Sequence, residues 1–312
     1  MVKSKRIEKL KTGRDQSGRM TFIYIIAALT GIAMGLLLTF IFSRLPESWL
    51  QDYDYDEKAP NFRLSKRMKI IPHGVIAAAA CALFYVLAVY FCEKDYIQTL
   101  RPMHLVCIGL LIPVLVLVTM ADRLNRIIPD QFSIFIAVVG VLSIVSDLTE
   151  GSVWFSAQCP WYIPLLNKLI GSLIGGGFLW LIGFISESFL GKEGMGQGDM
   201  RLLFATGLIT GCYGLVVLIY VAVFSALIFA IPLFIRKRMR LAKEEEIIRN
   251  SDNPALTRRR LEREKAAVHF ADDPDYLAFG PFLALGCGIF AIAEPFIFER
   301  AYNLLLSLGV YF

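Results

Sequence analysis

Pro102–Ala121 reads PMHLVCIGLLIPVLVLVTMA, twenty residues without an Asp, Glu, Lys or Arg. About 20 apolar residues are what an α-helix needs to cross the ~30 Å hydrocarbon core of a bilayer. Similar uncharged runs lie on both sides: Met20–Ser43, Ile70–Cys92, Gln131–Ser146, Leu169–Ser186, Leu202–Ile235 and Tyr276–Ala293. In lipid every backbone N–H and C=O must be satisfied within the chain, which leaves helices as the form for such runs. Gln131–Ser146 is short for a full crossing, and Leu202–Ile235 is too long for one helix without a strong tilt. Gly211-Cys212-Tyr213-Gly214 inside the long run is a turn signal. It predicts a short helix over about 201–210 and a full crossing over about 215–235. The fold class is therefore all-α, a polytopic membrane helix bundle of about eight transmembrane helices.

Composition agrees. Of 312 residues, 56% are apolar and 19% charged, against about 45–50% and about 25% in a soluble domain. Mean hydropathy is +0.58. Disordered, collagen-like and coiled-coil classes are excluded. The net charge of +5 is small, and the basic residues cluster in loops. That predicts a lipid bilayer as partner and no nucleic acid. Cys81, Cys92, Cys107, Cys159, Cys212 and Cys287 lack C-x-x-C spacing, and the three histidines (His73, His104, His269) are isolated. The cysteines read as small buried hydrophobes, with no metal site and no cofactor implied. The first apolar stretch is too long for a signal-peptide core and no small-x-small cleavage site follows it.

The expected organisation is a basic N-terminal segment (1–19), a first membrane helix (20–43), a polar loop (44–69), a membrane core (70–235), a basic loop (236–277), and a last membrane helix with the C-terminal tail (278–312). Small residues at four-residue spacing, Gly31/Gly35, Gly171/Gly175 and Gly207/Gly211, read as places of close helix packing. Arg236–Leu277 carries eleven Lys and Arg and is expected in the cytosol. Counting back places the loops 44–69, 122–130 and 187–201 on the same side, and 93–101, 147–168 and 211–214 outside. The basic segment 1–19 dissents, because the count puts it outside. The mixed-charge stretch 238–270 reads as solvated helix, with partner docking as the alternative. Trp154 and Trp161-Tyr162 fall where an interfacial aromatic belt is expected.

Ionisable groups at membrane depth are costly and hence functional candidates. Asp122 closes the third apolar run and Asp199 opens the sixth, both at ends assigned to the cytosolic side. Two close carboxyls share a proton, so one acts as general base on a water while the other polarises a carbonyl. Gly194, Gly196 and Gly198 before Asp199 permit close backbone approach by an extended peptide. The alternatives are a flexible turn with Asp199 as helix N-cap, and Asp122 as a helix-end charge among headgroups.

At these residues the sequence resembles the type IV prepilin peptidase family. Gly191-Lys192-Glu193-Gly194-Met195-Gly196-Gln197-Gly198-Asp199-Met200-Arg201 resembles its GxGD segment. Asp122 to Pro129-Asp130 resembles its first-aspartate segment, Phe279-Gly280-Pro281-Phe282-Leu283-Ala284 its late FGPFLA element, and Gly35 to Arg44-Leu45-Pro46 its first-helix segment. The resemblance implies a membrane-embedded aspartyl endopeptidase that cleaves prepilin or pseudopilin precursors after a glycine, on the cytosolic side of the cell membrane. It implies Asp122 and Asp199 as the catalytic pair. Gly194, Gly196, Gly198, Pro129, Gly280 and Pro281 would shape the site.

The departures count against N-methylation of the product. Many relatives carry two cysteine pairs after the first helix, whereas Pro46–Lys69 has no cysteine, and Gly35–Phe40 lacks the usual serine and asparagine. Presenilin-like enzymes place tyrosine before the first aspartate and use a P-A-L element. Here Ala121 precedes Asp122, and the one P-A-L, Pro254-Ala255-Leu256, lies in the charged 236–277 stretch and not in an apolar run. A carboxylate-based transporter and a non-catalytic pilin-assembly factor are the rivals of other classes. The first is disfavoured by the absence of two similar halves, the second by the presence of both aspartates.

Overall fold

A computed structural model describes residues 2–51, 63–95, 101–156, 158–190, 196–251, 253–266 and 277–308. Among these the regular structure is helical throughout. In order the helices are α1 (Val2–Ser43), α2 (Glu47–Leu50), α3 (Val75–Asp95), α4 (Pro102–Asn125), α5 (Asp130–Glu150), α6 (Tyr162–Leu190), α7 (Gln197–Arg249), α8 (Pro254–Ala266) and α9 (Gly280–Ser307). The expected all-α membrane bundle is what forms. Seven of the helices are long and apolar enough to cross a bilayer.

The expected number of crossings was about eight, and Gly211 reconciles the two counts. Its φ of 63° and ψ of −174° break α7, in a region of backbone space open to glycine and costly for residues with a Cβ. Asp199 lies at the same bundle end as Asp122, whereas Tyr213 stacks on Trp154 at the other end, ring centroids 5.3 Å apart. Phe229 then meets Phe282, two residues after Gly280, back at the Asp122 end. So α7 goes out and returns, as the short helix and the longer one expected on either side of Gly211. Asn167 of α6 secures the break, its Oδ1 accepting from the Cys212 N–H at 3.1 Å.

The second half of α7 was expected to cross the bilayer to about 235, with solvated helix over 238–270, and helix is found over much of that stretch, to Arg249 and again in α8. The crossing and the first part of the solvated helix are one continuous helix that ends at Arg249. No glycine or proline interrupts Leu233–Asp252, and Lys, Arg and Glu are good helix formers. α1 likewise runs from the basic segment into the membrane run without a break.

Glycine pairs set the closest approaches. A Cβ on Gly31 or Gly35 would fall 2.4 Å from the α3 backbone at Ala82 or Ala78, and one on Gly171 would fall 2.4 Å from the carbonyl carbon of Gly211. Where hydrophobic driving force between helices is absent, such backbone proximity supplies dispersion contacts that larger residues would forbid. Outward-facing Leu173, Val216, Ile228 and Phe184 stay more than half exposed, as lipid-facing side chains are. α4 and α9 are the most enclosed helices, with Leu111, Val118, Leu283 and Cys287 in the core.

The end away from Asp122 is closed by charge. Asp147 bridges Arg101 and Lys168, each at 2.8 Å. Lys168 Nζ also donates to the Ser143 carbonyl and hydroxyl. Glu150 accepts from the Met103 and His104 N–H groups, so the free amides at the start of α4 are capped from the end of α5. Trp154 Nε1 donates to Glu294 Oε1 at 3.0 Å. Buried ions need such partners because desolvation is costly.

Candidate active site

Each aspartate is placed by a helix boundary. α4 ends just past Asp122, where the Arg126 N–H donates to the Asp122 carbonyl at 2.9 Å and Arg126 takes φ 61°. A left-handed residue after the last turn is a common way to stop a helix. Pro129 is the N-cap of α5, so the chain reverses within a few residues. Asp122 is 5% exposed. Its Oδ2 accepts from the Gly280 backbone N–H at 2.9 Å, at the start of α9.

Asp199 lies in the first turn of α7. The N-cap is Gly196, whose carbonyl accepts from the Asp199 N–H at 3.1 Å. Asp199 is therefore not the N-cap, and the reading of this residue as a capping side chain falls. Its Oδ1 is buried and has no hydrogen-bond partner among the described residues. Buried polar oxygens are seldom left so in a finished core.

The two carboxyls lie within electrostatic reach of each other. Ile128 sits between their supports. A Cβ on Gly280 would fall 2.6 Å from Asp122 Oδ2 and 2.8 Å from Ile128 Cδ1. A Cβ on Gly198 would fall 3.1 Å from Ile128 Cβ, and one on Gly196 3.6 Å from Asp199 Oδ2. Gly280 and Gly198 thus let α9 and α7 close onto Ile128, and that closure brings the aspartates together. Pro281 lines the groove that opens beside Asp122. Gly194 lies outside the described residues.

Three contacts that hold this end together were not singled out from the sequence. Arg201 pairs with Asp130, tying the start of α7 to the start of α5. Asn125 grips the returning loop, accepting from the Lys66 N–H at 2.8 Å and donating to the Lys66 carbonyl at 3.1 Å. Glu47 on α2 pairs with Arg67 and accepts from Gln51 at 2.8 Å and from the Ser65 N–H. Burial alone would raise the Glu47 carboxyl, but hydrogen bonds from Ser65 and Gln51 and the Arg67 charge outweigh it and hold it at about 2. The signals available were an acidic residue before one polar loop and an I-P-D turn, neither of which names its partner.

Chemically, the end offers two carboxyls, one fixed by a backbone donor and one with an unused acceptor, beside backbone made approachable by glycine. Among the described residues no three His, Cys, Asp or Glu side chains gather as a metal ion would require.

Residues 109–231 match the Type IV leader peptidase family. The chain is 28% identical over 120 residues to the prepilin leader peptidase/N-methyltransferase of Xanthomonas campestris pv. campestris, covering 38% of this chain and 37% of that protein. It is 29% identical over 143 residues to the protein of the same description from Neisseria gonorrhoeae, covering 46% and 42%. For the Aeromonas salmonicida protein the identity is 31% over 130 residues, covering 42% and 40%. The chain spans about two fifths of the length of the curated relatives it matches. No solved structure matches it.

Proposed function

We propose, from seven helices long and apolar enough to cross a bilayer and a match of residues 109–231 to the type IV leader peptidase family, that this chain is an aspartyl endopeptidase of prepilin or pseudopilin precursors. The observation that carries the reading is that Asp122 and Asp199 lie at one bundle end, with no hydrogen-bond partner for Asp199 Oδ1 among the described residues.

The chemistry follows from two carboxyls that hold one proton between them. The ionised member takes a proton from a water molecule as the water oxygen attacks the scissile carbonyl carbon. The protonated member gives its proton to the carbonyl oxygen, forming a gem-diol. Collapse of the gem-diol breaks the C–N bond, the nitrogen takes up a proton, and a carboxylate and a new amino terminus leave. The pair then again holds one proton. The Gly280 N–H keeps Asp122 oriented through this cycle, and glycines at 196 and 198 allow an extended substrate backbone to lie against the start of α7.

The cut falls on the cytosolic side, because the loops carrying most Lys and Arg lie at the Asp122 end. Pro46–Lys69 has no cysteine, which counts against methylation of the product, and the activity proposed is the peptidase. A carrier would hold its carboxylates near mid-span, whereas these sit at helix ends.

The test is co-expression with pilin-like precursors, followed by sequencing of the mature N-termini. Trimming after a glycine by the wild type, lost in both Asp122→Asn and Asp199→Asn at unchanged expression, is the expected result. Trimming at the wild-type rate by either variant overturns the assignment.

A further inference from the structure

The second half of α7 carries its charges in blocks. Leu202–Ile235 has no Asp, Glu, Lys or Arg. Arg236, Lys237, Arg238, Arg240 and Lys243 then follow within eight residues, with no acid among them. Glu244, Glu245 and Glu246 come next on the same unbroken helix. A helix that only has to stay solvated mixes its signs, so that bases and acids pair at i, i+4. α8 does this: Arg258 faces Glu262 at 3.6 Å and Arg260 faces Glu264 at 3.0 Å. In the basic block Arg240 reaches Glu244 at 3.9 Å. Arg236, Arg238 and Lys243 are exposed and make no hydrogen bond or ion pair among the described residues.

The blocks match the layers of a bilayer. A hydrocarbon core of about 30 Å within a total of about 40–45 Å leaves a headgroup layer of about 5–8 Å on each side. If the core ends at Ile235, Arg236–Arg240 rise through about the first 8 Å beyond it, at about 1.5 Å per residue. Lys243 stands higher, and its long stem lets the ammonium reach back. The glutamates begin about 13 Å out, past the phosphates. Arg236, Arg240 and Lys243 share one helix face by their spacing, while Lys237 and Arg238 lie on other sides. α8 folds back along α7 beyond this level, where Lys265 pairs with Glu244.

We propose that Arg236–Lys243 forms a collar that binds the phosphodiester headgroups of anionic phospholipids in the surrounding bilayer. The proposal rests on α7 crossing a bilayer and is independent of the peptidase reading. A basic run directly after a membrane helix is drawn to the negative surface of a leaflet. Three of its five cations are Arg, whose planar fork matches two phosphate oxygens at once. Phe229, two turns before Arg236, packs on Phe282 with ring centroids 5.6 Å apart. Lipid held at the collar therefore braces α7 against α9, and a ligand that binds the folded chain raises its stability. An acidic protein would be better met by Arg259 and Arg263 of α8, exposed on the side away from Leu261 and Lys265.

The test uses the full chain purified in detergent, with phosphatidylglycerol or phosphatidylcholine added. Bound lipids are counted by native mass spectrometry, and thermal unfolding is followed in parallel. Phosphatidylglycerol is expected to bind about tenfold more tightly than phosphatidylcholine and to raise Tm, an advantage that high salt reduces. Combining Arg236→Gln, Arg238→Gln and Lys243→Gln is expected to cut the preference to about twofold or less. Combining Arg259→Gln and Arg263→Gln is expected to leave it whole. The preference is a ratio within one variant, so a general loss of stability does not imitate its loss. A photocrosslinker at Met239, which removes no charge, is expected to label phosphatidylglycerol over phosphatidylcholine. One at Ile247, two turns further out, is expected to show no such preference. Three results overturn the collar: no preference in the wild type, an undiminished preference in the triple variant, or an equal loss in the α8 variant. In the last case the attraction belongs to the net charge of the hairpin. A Met239 label found in whole membranes on an acidic protein and on no lipid also overturns it. Cleavage is not read at any step, so the peptidase reading can fail while the collar stands.

Discussion

The Gly280 N–H and the Asp122 carboxyl meet at 2.9 Å although 158 residues separate them in the chain. This bond couples the start of the last membrane helix to one candidate catalytic group, and Gly280 leaves no room there for any side chain. In Gly280→Ala the new Cβ would fall 2.6 Å from Asp122 Oδ2, far inside contact distance, so the carboxyl must move. Displacing a catalytic group by about 1 Å is worth on the order of 100-fold in rate. Precursor cleavage by Gly280→Ala is expected to fall at least that much while the protein still elutes from detergent as a single folded species. Wild-type turnover in this variant would show that Asp122 need not stay on that donor.

Cleavage is expected to follow a bell-shaped pH profile, since the proposed chemistry needs one proton on the carboxyl pair, neither two nor none. Asp199→Asn and Asp122→Asn are each expected to abolish the bell along with the activity. A rate that climbs monotonically with pH would point to a different base. The profile is measured with one precursor in vesicles of fixed lipid composition.

The clasp around Glu47 has its own pH range. The folded carboxyl is held at about 2, below its ordinary 4.5, so the stability it contributes is complete above about pH 4.5. That contribution declines as pH falls and is gone once the pH passes below about 2. Glu47→Gln removes it at every pH. Hydrogen exchange at the Ser65 amide, which donates to Glu47, is expected to speed up in the variant at pH 7. In the wild type the protection is expected to persist to pH 5 and to erode below 4.

At the far end, Asp147→Asn leaves Arg101 and Lys168 without their shared counter-charge. Removing one partner of a buried ion pair costs about 3–5 kcal/mol. Thermal unfolding in detergent is expected to shift down clearly, while turnover per folded molecule at low temperature stays at the wild-type value. A loss of turnover without loss of stability would mean that the two ends communicate.

Much of this architecture was readable from residue order. Uncharged runs of bilayer length, the turn at Gly211 and the paired glycines are local signals, and each marks an element that the structure contains. The two aspartates were legible because a carboxyl at the edge of an apolar run is expensive and therefore conspicuous. What the sequence withheld is pairwise geometry across the bundle. Nothing near Asn125 announces that it holds Lys66, and nothing near Glu150 says that it caps α4. Ile128 is one apolar residue among many until Gly198 and Gly280 are seen to close on it from two helices. The unbroken run of α7 to Arg249 also escaped, because a change from apolar to charged composition marks a change of solvent and need not mark a change of backbone.

That last helix has a practical use. From Cys212 to Arg249 it is continuous, about 57 Å at 1.5 Å per residue, whereas a bilayer with its headgroups is about 40–45 Å thick. Its far end therefore extends beyond the lipid, with Pro232 inside the helix. A small rigid fusion or antibody fragment attached at Asn250 would ride on that extension and give electron microscopy a landmark outside the membrane.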